Sequence, residues 1–213
     1  MSKSKVIPTI FSLSKEEFDL KLKKLLPISK KLQVDFMDGK FVKSKSVLPR
    51  FVPDLSSLSN VFEAHLMVEN PVLFFDKIKD KGFRKIIFHF ESFNDLALAK
   101  KFFSDLKKQK IIPVVAINPE TKLNEDIVLS FDFFLLMGVS PGREGQSLLP
   151  STFSKIRFIK KLNPKALIQV DGGVNVKNAS KLFKEGVNFI NSGSYISSSD
   201  DPMSALSSLI KEV

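Results

Sequence analysis

From end to end, the chain alternates between short apolar runs and segments with helical spacing, about eight times in all. Alternation of this kind specifies parallel strands covered by their connecting helices. Eight such units is the number that closes a (β/α)8 TIM barrel. The expected strands are Val6–Phe11, Leu32–Met37, Phe62–Val68, Lys85–Glu91, Ile111–Asn118, Phe131–Val139, Leu167–Val174 and Phe189–Ile196. Ile111-Ile112-Pro113-Val114-Val115-Ala116 is apolar throughout, as a strand buried on both faces should be. Helix signals lie between the runs. Ser14-Lys15-Glu16-Glu17 reads as a capping box, followed by Phe18, Leu22, Leu25 and Leu26 at helical spacing. Asn70-Pro71 supplies a cap and a first-turn proline. Further helices are expected near Asn94–Lys108, after Thr121, over Pro150–Leu162, up to Gly186, and from Asp201-Pro202. The segment Lys40–Asn60 breaks the rhythm and carries Pro49 and Pro53, so its helix is expected to be weak or absent. A length of 213 residues suits one such barrel, so a single domain over residues 1–213 is expected.

In this fold the chemistry sits at the C-terminal ends of the strands. The polar residues expected there are Thr9, Ser12, Gln33, Asp35, Asp38, His65, His89, Glu91, Asn118 and Asp171. Two of them, Asp35 and Asp171, end distant strands and are followed closely by glycine. Two carboxylates brought together in this way can serve as proton acceptor and proton donor on one substrate. With His65 they could also hold a divalent cation. Asp38 before Gly39 reads as a turn former, and His89 with Glu91 as a pair that satisfies each other. Glycines form a second constellation in Gly142-Arg143-Glu144-Gly145-Gln146, Gly172-Gly173 and Gly193-Ser194, with the last pair expected inside the eighth strand. Late-barrel positions of this kind commonly bind phosphate. The loop at 142–147 could also act as a lid. Met37, Met67 and Met137 fall near strand ends, as core fillers or as an apolar wall around a reacting carbon.

Composition narrows the partners. The chain has no cysteine, which excludes disulfides, thiolate metal sites and a cysteine nucleophile and fits a reducing compartment. A formal net charge of +10 could mark a nucleic-acid binder, but the lysines fall in helical stretches such as Lys21-Leu22-Lys23-Lys24 without an RNA-binding aromatic motif. A positive field equally steers an anionic substrate. No nucleic acid and no membrane partner is expected. The basic start Met1-Ser2-Lys3-Ser4-Lys5 is not followed by a signal-peptide core, which favours the cytoplasm.

The motifs, in order, resemble the ribulose-phosphate 3-epimerase family over nearly the whole chain. They are Pro8-Thr9-Ile10, Val34-Asp35-Phe36-Met37-Asp38-Gly39-Lys40-Phe41-Val42, His65-Leu66-Met67-Val68, Asn118-Pro119-Glu120-Thr121, Met137-Gly138-Val139-Ser140-Pro141-Gly142, Gly145-Gln146-Ser147, Val170-Asp171-Gly172-Gly173 and Gly193-Ser194. The resemblance implies an isomerase interconverting D-ribulose 5-phosphate and D-xylulose 5-phosphate. Asp35 and Asp171 would be the two acid–base residues, acting on opposite faces of C3 through an enediolate stabilised by a divalent metal (Zn, Fe, Mn or Co). Metal ligands would be Asp35, His65, Asp171 and, as a poorer donor, Gln33, which stands where the family carries histidine. Thr9, Met37, His65, Met67, Met137, Gly142, Gly145, Gln146, Gly172, Gly173, Gly193 and Ser194 would bind the phosphorylated ketopentose. Thr9 replaces a usual serine, Arg143-Glu144 replaces the usual Phe-Gly of the phosphate loop, and Lys43 stands where proline is typical. A homo-oligomer is implied. Two alternatives stand beside this reading: an epimerase for a six-carbon ketose phosphate such as allulose 6-phosphate, and a metal-deficient, non-catalytic sugar-phosphate binding protein. The decarboxylase and hexulose-phosphate synthase group carries Asp-x-Lys-x-x-Asp on an early strand; Met37 at the lysine position argues against that group.

Overall fold

In the computed structural model, which describes residues 4–93, 95–143 and 145–213, eight parallel strands close into a barrel in sequence order. They are β1 (Val6–Ile10), β2 (Lys31–Met37), β3 (Val61–Met67), β4 (Phe83–His89), β5 (Ile112–Ile117), β6 (Phe133–Met137), β7 (Leu167–Asp171) and β8 (Phe189–Ser192). β8 pairs with β1 through Val6 opposite Ile190 and completes the ring. Side chains alternate between the two faces of each strand. One set faces the helices and builds a continuous apolar layer that includes Val34, Phe36, Leu66, Phe88, Leu136 and Val170. The other set fills the barrel interior.

Among the described residues, eight α-helices cover the ring: α1 (Lys15–Leu25), α2 (Pro71–Asp76), α3 (Leu96–Lys108), α4 (Glu125–Ser130), α5 (Ser151–Leu162), α6 (Val176–Lys184), α7 (Ser194–Ser197) and α8 (Pro202–Ile210). Side-chain caps start most of them, from Ser14, Asn70, Asp95, Asn124, Asn175 and Asp201. The box expected at Ser14 is half formed. Ser14 Oγ accepts from the amide of Glu17, while Glu17 Oε2 accepts from the amide of Leu13 rather than Ser14. Gly186 follows α6 with φ +94°, as a helix stop requires.

Two expectations change. β8 ends at Ser192, so Gly193-Ser194 lies beyond it and opens the short α7. Gly193 through Ile196 could extend either way by local pattern; tertiary packing chose the helix. β7 likewise stops at Asp171, which frees Gly172 and Gly173 for the loop. Between β2 and β3 there is only a 3-10 turn, Pro49–Phe51, with Val47, Val52 and Leu55 buried beneath the segment. The expected helix start at Asn94 and the acidic residue Glu144 lie outside the described residues. Among the described residues, no helix is long and apolar enough to cross a membrane.

Candidate active site

The barrel interior is divided. One sector is apolar, built from Ile87, Val114, Ala116, Phe133, Leu135 and Met137 of β4 to β6. The other is polar and buried, with Gln33, Asp35, Glu63, His65, Lys85, His89, Gln169, Asp171 and Asn191 on β2, β3, β4, β7 and β8. Period-two spacing accounts for the second set: Gln33 and Asp35, Glu63 and His65, Gln169 and Asp171 are inward neighbours on their strands. Register then aligns the strands, with Asp35 opposite His65 and Met137 opposite Asp171.

Asp35 and Asp171 meet around a single amide. Gln33 Nε2 donates to Asp35 Oδ1 at 2.9 Å and to Asp171 Oδ2 at 2.6 Å. His65 Nδ1 is 3.4 Å from each of the same two oxygens. Burial raises the pKa of Asp35, and the charge of Asp171 adds to it, against the bonds from His65 and Gln33. Burial opposes the His65 imidazolium, but hydrogen bonds and charge from Asp171 and Asp35 outweigh it and carry the pKa to about 9. Behind His65 the contacts continue. His65 Nε2 lies 3.0 Å from His89 Nε2, and His89 Nδ1 lies 3.3 Å from Glu91 Oε2. Glu91 Oε1 in turn accepts from the amide of Asn118 and from the Thr121 hydroxyl. A carboxylate at one end assigns the tautomers: His89 Nδ1–H donates to Glu91, His89 Nε2 accepts from His65 Nε2–H, and His65 Nδ1 faces the aspartates. Burial and the charge of His65 hold the His89 pKa down. His89 and Glu91 thus satisfy each other, as their spacing suggested.

A narrow cavity of about 80 Å³ opens above the carboxylates, lined by Thr9, Asp35, Met37, Met67, Met137 and Asp171 among others. It runs into a larger one of about 690 Å³ along Gly145, Gln146, Gly172, Gly173, Gly193 and Ser194. The structure therefore brings the expected catalytic and substrate-binding residues to one mouth, with two refinements, while Ser12, Asp38, His89, Glu91 and Asn118 line neither cavity. His65 lines neither cavity and lies fully buried behind the aspartates. Gln146 lines both, but its Nε2 donates to the carbonyls of Ser140 and Arg143 and so shapes the loop. Ser44 Oγ bonds the carbonyl of Gly142 at 2.6 Å and ties that loop to the segment after β2. Gly173 has φ +71°, and a Cβ there would come within 2.4 Å of the Leu148 amide nitrogen, so only glycine lets the loops pass. Lys177 and Lys181 of α6 add positive charge to the larger cavity. Thr9 Oγ1 is buried and has no hydrogen-bond partner among the described residues. Asp38 is a turn former as expected: its carboxylate accepts from the amides of Lys40, Phe41 and Glu69.

Asp35, His65 and Asp171 each offer a ligand atom, all within 4.8 Å of one another, and these three buried donors fit a divalent cation. Gln33 as oriented does not, since an amide nitrogen carrying two hydrogens has no lone pair to give. Its oxygen accepts instead from Asn191 Nδ2 at 2.8 Å. Asn191, Gln169, Lys85 and Glu63, on β8, β7, β4 and β3, were not among the candidate site residues that the sequence offered. The available signal was a polar residue two positions before each recognised site residue, at Gln33, Glu63 and Gln169 alike.

Known proteins match this chain in sequence and in fold. The ribulose-phosphate 3 epimerase family matches residues 5–197. A ribulose-phosphate 3-epimerase of Helicobacter pylori is 34% identical, over 84% of each chain. One of Chlamydia pneumoniae is 33% identical over 79% of this chain and 76% of its own. One of Schizosaccharomyces pombe is 27% identical over 100% of this chain and 95% of its own. Among solved structures, a 3-hexulose-6-phosphate synthase from Salmonella typhimurium superposes with a TM-score of 0.75 at 14% identity, covering 98% of each chain. That likeness is one of fold.

Proposed function

The chain belongs to the ribulose-phosphate 3-epimerase family, and from that premise we propose that it interconverts D-ribulose 5-phosphate and D-xylulose 5-phosphate by proton transfer at C3 between Asp35 and Asp171. The observation that carries this reading is the convergence of two carboxylates, from β2 and β7, on the Gln33 amide at 2.9 and 2.6 Å, directly below a cavity. One carboxylate takes the C3 proton; the other returns a proton to the opposite face, and the centre inverts. A single base would tend to restore the starting configuration. Met37, Met67 and Met137 offer the planar intermediate an apolar, polarisable wall and exclude water from it. Thr9 Oγ1 has a free hydrogen-bonding capacity for a substrate oxygen. The larger cavity takes the phosphate, against the glycine loops with Lys177 and Lys181 nearby. A divalent cation on Asp35, His65 and Asp171 would supply Lewis-acid stabilisation of the charge that develops on the substrate oxygens. A homo-oligomeric state and a cytoplasmic location belong to the same proposal, on the family resemblance.

The test is a coupled assay on ribulose 5-phosphate in the presence and absence of Zn²⁺, Fe²⁺, Mn²⁺ and Co²⁺, with C3 proton exchange followed in deuterated solvent. Conversion with exchange is expected. Absence of both under every metal condition overturns the reading. The Gln33 amide, pointing its nitrogen into the site, favours a second reading: a sugar-phosphate binding protein without a metal. That reading predicts tight binding of the sugar phosphate with no exchange at C3.

A further inference from the structure

A chain of buried hydrogen bonds with one fixed direction runs beneath the carboxylates. Lys85 Nζ pairs with Glu63 Oε1 at 2.6 Å and donates to Gln169 Oε1 at 3.1 Å. Gln169 Nε2 donates to Glu63 Oε2 at 2.9 Å and to Asn191 Oδ1 at 2.6 Å. Asn191 Nδ2 donates to Gln33 Oε1 at 2.8 Å. An ammonium can only donate and a carboxylate can only accept. The Lys85–Glu63 pair therefore decides which way Gln169 points, Gln169 decides for Asn191, and Asn191 decides for Gln33. Turning any one amide over would set donor against donor at the next link, in a fully buried place where water cannot replace the lost bond.

We propose that Asn191 is the positioning residue of this site: through it the Lys85–Glu63 pair locks Gln33 as a double donor to Asp35 and Asp171 and withholds the Gln33 oxygen from any cation bound there. Without the lock, a divalent cation would turn the amide over and gain a fourth ligand. With it, a cation would be held by Asp35, His65 and Asp171 alone, and the amide would go on restraining both carboxylates. The lock rests on the proposed epimerase only for the task it gives the two aspartates; the bonding itself is independent of that task.

Asn191→Asp makes the decisive variant. The new carboxylate accepts from Gln169 and from a turned-over Gln33 Nε2, so Gln33 Oε1 faces the cation. Mn²⁺ titrated into metal-stripped protein by calorimetry should bind about tenfold more tightly to Asn191→Asp than to wild type, the scale of one coordination-sphere change. Affinity equal to or below that of wild type in a folded variant overturns the proposal. Should the variant fail to fold, wild type decides alone. Its Gln33 side-chain NH₂ resonances should persist, protected from solvent exchange, when Zn²⁺ is added. Their collapse, or a Zn²⁺-bound crystal structure with Gln33 Oε1 on the ion, overturns it. Inactivity on ribulose 5-phosphate would sink the epimerase reading and leave these measurements standing.

Discussion

Asp35 and Asp171 share their hydrogen-bond donors but sit on strands far apart in sequence, and this shapes what substitution should do. Asp35→Asn and Asp171→Asn should each lower kcat by about 10²–10⁴, the usual contribution of one acid–base group. The remaining carboxylate can still exchange the C3 proton of one epimer without inverting it. Deuterium incorporation into one epimer by each single variant, and into neither by the double variant, is the expected pattern, read by proton NMR. Asp38 gives a second residue-level prediction. Burial opposes its charge, but backbone amides of Glu69, Lys40 and Phe41 overcome this and hold its pKa below the usual carboxylate range. A depressed carboxylate stabilises the fold above its unfolded pKa, near 3.9, and loses that contribution as pH falls through its folded value. Asp38→Ala should therefore cost about 1–2 kcal/mol at pH 7 and progressively less below pH 4, measured by urea unfolding across pH. Legibility at this scale was uneven. Asp35, His65 and Asp171 announced themselves through motif and position. The orientation of Gln33 did not, because it is dictated by Asn191, 158 residues away.

Elements were read well at their centres and less well at their ends. All eight strands fell within the expected runs to a residue or two, because apolar continuity marks a doubly covered strand. β7 and β8 were read too long. Their last expected residues, among them Gly172, Gly173 and Gly193, are apolar or small enough to continue a strand, yet they turn into the loops that line the larger cavity. The glycines there serve close approach of backbones. Gly173→Ala must hold a φ of +71° and push against Leu148. It should destabilise the barrel by about 1–3 kcal/mol from backbone conformation alone. Since the loop carries the proposed phosphate site, KM for ribulose 5-phosphate should rise more than kcat falls. An unchanged KM with a normal melting temperature would remove this loop from substrate binding.

The whole molecule carries a net charge of +10 and takes, on the proposed reading, a dianionic substrate. Steering by such a field raises association rates and weakens with salt as the Debye length shortens to about 8 Å at physiological ionic strength. kcat/KM should accordingly fall as NaCl rises from 10 to 300 mM while kcat changes little; a flat profile would mean that the lysine-rich helix faces play no part in capture. Barrel closure was legible because every unit repeats one pattern. The division of the interior was not, since it appears only when register sets Gln33, Glu63 and Lys85 side by side and barrel closure brings Gln169 across to Glu63 and Lys85. Lys85 marks the boundary: its ammonium pairs with Glu63 on one side and lies over the rings of Phe133 and Phe189 on the other, at 4.8 and 5.1 Å. The sector from Ile87 to Met137 contains nothing that gains or loses a proton. It works as a keel: protons and cations can come and go among the aspartates and histidines while the opposite wall, indifferent to all of them, keeps the ring closed.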